Sequence, residues 1–103
     1  MTTFFAIRTA NADTPVVTIN ADTISFITQG GPTAGSASSK NMTIHFNNGE
    51  AGGEYLIFRT QVDGDGTRLV EILSEFLFKL PQFRERYLEY GDIEITSVGK
   101  DTP

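Results

Sequence analysis

Asn41-Met42-Thr43-Ile44-His45-Phe46 and Glu54-Tyr55-Leu56-Ile57-Phe58-Arg59-Thr60, joined through Asn47-Asn48-Gly49-Glu50-Ala51-Gly52-Gly53, read as two antiparallel strands and the turn between them. Met42, Ile44 and Phe46 alternate with Thr43, His45 and Asn47, so one face is apolar and the other polar at the two-residue period of a strand. Asn and Gly tolerate the positive φ that tight hairpins demand, and the Gly pair after them lengthens the connection into a bulge or open loop. In the returning strand apolar residues point both ways, the pattern of a central strand or of one with a second contact surface.

Upstream, Thr3-Phe4-Phe5-Ala6-Ile7-Arg8-Thr9 is rich in strand formers and is broken by Asn11-Ala12-Asp13-Thr14-Pro15. Val16-Val17-Thr18-Ile19 follows, with Pro15 where a missing N–H does least harm. Asn20-Ala21-Asp22 is a turn into Thr23-Ile24-Ser25-Phe26-Ile27-Thr28, where simple alternation puts Ile24 and Phe26 on one face and Ser25 and Ile27 on the other. Residues 29–40 hold no large apolar side chain and are dense in Gly, Ser and Pro, which predicts a flexible loop.

Downstream, Val62-Asp63-Gly64-Asp65-Gly66-Thr67 is a turn with Asp65 or Thr67 placed to cap a helix. Leu69, Leu73, Phe76, Leu77 and Leu80 recur at spacings of three and four, one face of that helix, while Val70, Ile72 and Phe78 lie off the stripe and leave apolar surface for another subunit. Pro81 ends or kinks the helix. Gln82–Tyr90 is expected to resume it, with Phe83, Tyr87 and Tyr90 on one side, until Gly91 terminates it. Asp92-Ile93-Glu94-Ile95-Thr96-Ser97-Val98 alternates as a closing strand, and the chain should fray from Gly99. The predicted fold class is α+β: an antiparallel β-meander of about five to six strands packed against a helical segment near residues 66–90 kinked at Pro81, then a final strand.

The 103 residues suit one domain spanning 1–103, and 39% apolar content with eight Phe and three Tyr can fill one core. The chain has no Cys, which removes disulfides, thiolate metal sites and a Cys nucleophile, and fits a reducing compartment. The N-terminus reads as a strand and not a signal peptide, and no apolar run approaches the roughly 20 residues that span a bilayer, so a soluble cytoplasmic protein is expected. Asn41-Met42-Thr43 matches the glycosylation acceptor pattern, which has no use without secretion. The net charge is −5, and residues 51–103 carry six basic against ten acidic groups. Phosphate neutralisation drives nucleic-acid binding, so neither nucleic acid nor an anionic membrane is an expected partner.

Four candidate sites can be weighed. Asp63-Gly64-Asp65-Gly66 suggests a calcium loop, but an EF-hand would need Gly at 68 and Glu at 74, and the chain has Arg68 and Ser74. His45, the lone imidazole, faces away from the core on the alternating pattern and has neither a nucleophile elbow nor metal-ligand company, so no catalytic residue, metal or cofactor is expected. Glu71 and Glu75, with Glu85 and Glu89 at the same spacing, could form an acidic patch imitating a phosphate backbone. Phe58, Phe76, Phe78 and Tyr87 could form an apolar or aromatic contact surface, or, for Phe58, Phe76 and Tyr87, line a pocket between helix and sheet.

Val17-Thr18-Ile19-Asn20-Ala21-Asp22-Thr23-Ile24, Met42-Thr43-Ile44-His45-Phe46-Asn47-Asn48-Gly49 and Tyr55-Leu56-Ile57 together resemble the strand–turn–strand pattern of small FlbD-like proteins. The resemblance covers under half the chain and implies a β-meander. The Gly/Ser loop and the long helix depart from it, and no function or site is carried over. The functional expectation is a non-catalytic, self-associating module that binds macromolecules, a homo-oligomer by its apolar surplus. The alternatives are a phage-type acidic inhibitor of a nucleic-acid enzyme with a basic protein partner, and a small-molecule binder.

Overall fold

The hairpin forms where its pattern places it. In the computed structural model, which describes residues 3–31, 38–47, 54–79 and 86–99, the elements are β1 (Phe4–Arg8), β2 (Val16–Asn20), a 3-10 turn (Ala21–Thr23), β3 (Ile24–Gln29), β4 (Asn41–Phe46), β5 (Glu54–Thr60), α1 (Asp65–Lys79) and β6 (Ile95–Gly99). The antiparallel neighbours are β1-β2 in one sheet and β3-β4-β5-β6 in a second, so the six strands follow one another as a meander against one helix. Leu80 to Glu85, with the Pro81 kink and Phe83, lie outside the described residues, as do most of the loop between β3 and β4, the tip of the β4–β5 hairpin and the last four residues. Among the described residues no helix is long and apolar enough to cross a membrane.

Register explains which side chains are buried. Met42 pairs with Phe58 and Ile44 with Leu56, so these four share the face that α1 covers. Met42, Ile44 and Phe58 are fully buried there against Leu69 and Leu73 of the helix and Phe5, Ile7 and Ile19 of the hairpin β1–β2. Each such side chain contributes about 1.5–3 kcal/mol by leaving water.

Three expectations need correction. Between Ile24 and Phe26 the β3–β4 register slips by one residue, pairing Ile24 with Phe46 but Phe26 with His45. The bulge at Ser25 therefore sends Ile24 and Phe26 to opposite faces, and Ile27, paired with Ile44, joins Ile24 on the core side. Secondly, residues 86–90 are not helical. They run beside β1, where the Ala6 N–H donates to the Arg86 carbonyl at 2.6 Å and the Leu88 N–H to the Ala6 carbonyl at 2.9 Å, a parallel bridge that buries Leu88. Thirdly, Asp65 is the first helical residue and not its cap, and the Thr67 hydroxyl leaves the helix to donate to Gln29 Oε1 at 2.6 Å.

The start of α1 is seated directly on the chain that leads into β4. The Gly64 and Gly66 N–H groups both donate to the Ser39 carbonyl, at 3.1 and 2.7 Å, and the Thr60 N–H donates to the Lys40 carbonyl at 2.9 Å. A Cβ on Gly66 would stand 2.4 Å from the Asn41 nitrogen and 2.5 Å from its oxygen, and both are backbone atoms that have no room to yield. Gly64 is glycine for a different reason, its φ of +91°. Gly66→Ala should therefore cost about 2–3 kcal/mol, the upper part of the range for an overpacked core. Gly64→Ala should cost about 1–2 kcal/mol, the left-handed penalty alone. Urea unfolding of the two variants checks the order.

Candidate functional site

A four-stranded sheet has two edges, and here they differ. At the β6 edge the Ala10 N–H donates to the Ile95 carbonyl at 2.8 Å and Asn11 Nδ2 to the Thr96 carbonyl at 2.9 Å, so the end of the β1–β2 hairpin covers the start of β6. At the other edge, among the described residues, β3 hydrogen-bonds along its length to β4 alone. The Gly30 N–H donates to the Asn41 carbonyl at 2.8 Å, in register with the β3–β4 pairing. Bonded pairs alternate along an antiparallel ladder, so Phe26 and Thr28 turn their backbone groups inward, and Ile27 and Gln29 present theirs outward.

Beside this edge runs a groove of about 490 Å³. Ile24, Phe26 and Ile27 form one side, Leu77 and Phe78 of α1 the other, and Asp22 stands at one end, where its carboxylate accepts from the Thr3 N–H at 3.2 Å. Phe78, 86% exposed, rims it in water, and Phe26, 52% exposed, turns its ring to the other face of the sheet. Natural sheets blunt a free edge with charges or Pro. β3, Ile-Ser-Phe-Ile-Thr-Gln, carries neither and keeps only the bulge. The free edge of β2 is less apt, since it begins after Pro15 and the hollow beside it is smaller, about 190 Å³, with Glu54 in its wall.

On the sheet face opposite α1, Phe26, His45 and Tyr55 are cross-strand neighbours on β3, β4 and β5. The Phe26 and His45 rings stack at 4.0 Å with 11° between planes, and the Tyr55 ring lies 6.4 Å beyond. His45 Nε2 is 3.2 Å from the Thr28 hydroxyl. Thr43, expected on a polar strand face, is fully buried and donates to the Gly30 carbonyl. Burial holds the His45 imidazole below its ordinary value near 6.5.

The candidate residues read from the sequence scatter. Phe58 is wholly inside the core and offers no surface, and Phe76, partly buried, closes on Phe5 with ring centres 5.4 Å apart. Tyr87 is exposed beside β1, with the Arg8 guanidinium 3.9 Å over its ring, and Tyr90 donates its hydroxyl to the Arg8 carbonyl. Burial raises the Tyr90 phenol above its usual range, and the nearby Arg8 charge offsets part of that rise. Only Phe78 of these four lies at the groove. Glu71 and Glu75 are exposed on α1, and Glu89 is exposed on the segment beside β1. Lys79 donates to Glu75 at 2.8 Å and holds its carboxyl below the usual range. Glu85 lies outside the described residues.

Comparison of the chain with protein-family models, with curated proteins and with solved structures finds no match. The reading of the site therefore rests on its geometry.

Sequence inspection singled out Phe78 and missed the edge, because no pattern within Ile24–Gln29 says that one side of the strand is left unpaired. The signal that was available is the absence of charge in β3 next to an uncharged apolar helix residue. The lowered His45 value has a measurable consequence. Protonation is disfavoured in the folded chain, so the contribution of His45 is whole above about pH 6.5 and is lost as pH falls through that value toward the lower folded one. Between about pH 7.5 and 5.5, thermal unfolding should show the wild type losing stability relative to His45→Phe, which keeps the stacked ring without the titration.

Proposed function

We propose that this chain is a non-catalytic binding module that takes an extended protein segment along the outer edge of β3. The observation that carries the reading is the coincidence of unpaired outward N–H and C=O groups at Ile27 and Gln29 with an apolar groove beside the same strand. Addition of a strand to an exposed edge supplies affinity through main-chain hydrogen bonds, and pockets for alternate side chains supply selectivity. Here every second side chain of an added strand would point toward Leu77 and Phe78, and the others toward Phe26.

The acidic-inhibitor reading is supported less. Glu71 and Glu75 share a helix face with Lys79 and Arg68, and Glu89 sits on another element. A basic partner would meet a mixed surface there.

The test uses a synthetic eight-residue peptide of alternating Ile and Thr, capped at both ends and added to isotope-labelled protein. Amide shifts should concentrate at Ile27, Gln29 and Phe78, and Gln29→Pro, which removes one outward donor, should weaken them. Shifts confined to the β1–β2 hairpin, or none at all, would overturn the reading.

A further inference from the structure

We infer that the segment seated on β3 is β3 of a second copy of this chain, paired antiparallel about a two-fold axis at Thr28. The inference rests on the reading of this edge as a binding site and names its occupant.

The first argument is register. The outward residues Ile27 and Gln29 are spaced by two, so an antiparallel copy centred on Thr28 sets Ile27 opposite Gln29 on both sides. Each such pair exchanges two backbone hydrogen bonds, about four in all. An axis at Phe26 instead would leave the outward groups of Gln29 without a facing partner. The same strand thus serves both roles, as a two-fold interface requires.

The second argument is charge. Each copy carries −5, so two copies repel wherever their acidic surfaces meet. β3 has no charged residue, and Asp22, the carboxylate at one end of the groove, is carried by an antiparallel pairing to opposite ends of the interface.

The third argument is the helix. A two-fold perpendicular to the joined sheet keeps both copies of α1 on one face. α1 lies over β4 and β3, so at a strand spacing of about 4.8 Å the two helices would run on the order of 10–14 Å apart. That is somewhat wider than direct helix packing at about 8–10 Å, and large side chains are needed to fill the difference. Phe78, 86% exposed on the groove side, is such a side chain. The Gln29–Thr67 contact fixes the start of α1 at the end of β3, and Leu77 and Phe78 at its beginning, so α1 runs against β3. The two helices are then antiparallel, with the end of each beside the start of the other and their dipoles opposed.

Light scattering coupled to size exclusion, with the chain concentrated, should give a mass near twice 11.3 kDa. Gln29→Pro and Phe78→Asp should each return it to the single-chain mass. Pro is tolerated on an edge strand whose N–H faces outward. Phe78 is too exposed for its loss to unfold the chain, and unchanged far-ultraviolet dichroism verifies both. Val16→Asp, an exposed change on the β2 edge, should leave the doubled mass intact. A wild-type chain that stays at the single-chain mass overturns the inference, as does a dimer dissociated by Val16→Asp and not by Phe78→Asp. A monomeric wild type whose Ile27 and Gln29 amides still shift with the Ile/Thr peptide would overturn the self-partner and keep the binding edge. The absence of both responses would overturn the two together.

Discussion

The seating of Gly66 on the backbone of Lys40 and Asn41 is the contact on which the arrangement depends. It holds the first turn of α1 where β4 begins, and the Ser39 carbonyl receives two N–H groups from the same turn. With that end pinned, the helix has one direction in which its apolar stripe meets apolar residues, across the Met42, Ile44 and Phe58 face. Leu69 and Leu73 then fall into the core, and Leu77 and Phe78 overhang the start of β3. The groove is thus a by-product of how the helix is anchored at its far end. A side chain at residue 66 would lift the first turn and change the angle at which the last turn meets the sheet.

The strands have other means of satisfying their edges. Residues 86–90 occupy the side of β1 that β2 leaves open, and the corner of the β1–β2 hairpin at Ala10 and Asn11 covers the start of β6. Buried backbone groups need partners, so each of these contacts removes a place where another chain could bind. Among the described residues β3 is left with its outward groups unpaired, next to the groove that Leu77 and Phe78 overhang. Its bulge gives the strand a local twist and turns Phe26 away from the helix onto His45, which sets the two faces of the edge apart in character: aliphatic toward α1, aromatic toward the opposite side.

Much of this architecture is legible in the residues themselves. Alternation at 42–46 and the β-rich run at 54–60 identify β4 and β5, and the Leu69–Leu73 spacing identifies the buried stripe of α1. The bulge is not legible, since Ile-Ser-Phe-Ile alternates acceptably with or without an extra residue and only pairing with β4 selects the slip. Nor is the helix boundary: Phe83, Tyr87 and Tyr90 satisfy a helical period, while Tyr87-Leu88-Glu89 satisfies a strand period equally well, and the open backbone of β1 selects the second. Gly64 and Gly66 look alike in a turn, yet one is needed for its φ and the other for its lack of a Cβ. The candidate site was legible only through Phe78. Whether a strand lies at an edge is a property of sheet order, and Phe58 fell into the core because its partner across the ladder is Met42.

Amide hydrogen exchange along β3, followed in dilute and in concentrated protein, reads the state of the edge directly. The account predicts that Phe26 and Thr28, bonded inward to β4, exchange slowly at both concentrations, while Ile27 and Gln29 exchange fast when dilute and slowly when concentrated. Ile27 and Gln29 amides already slow in the dilute chain, or fast in both, would contradict it.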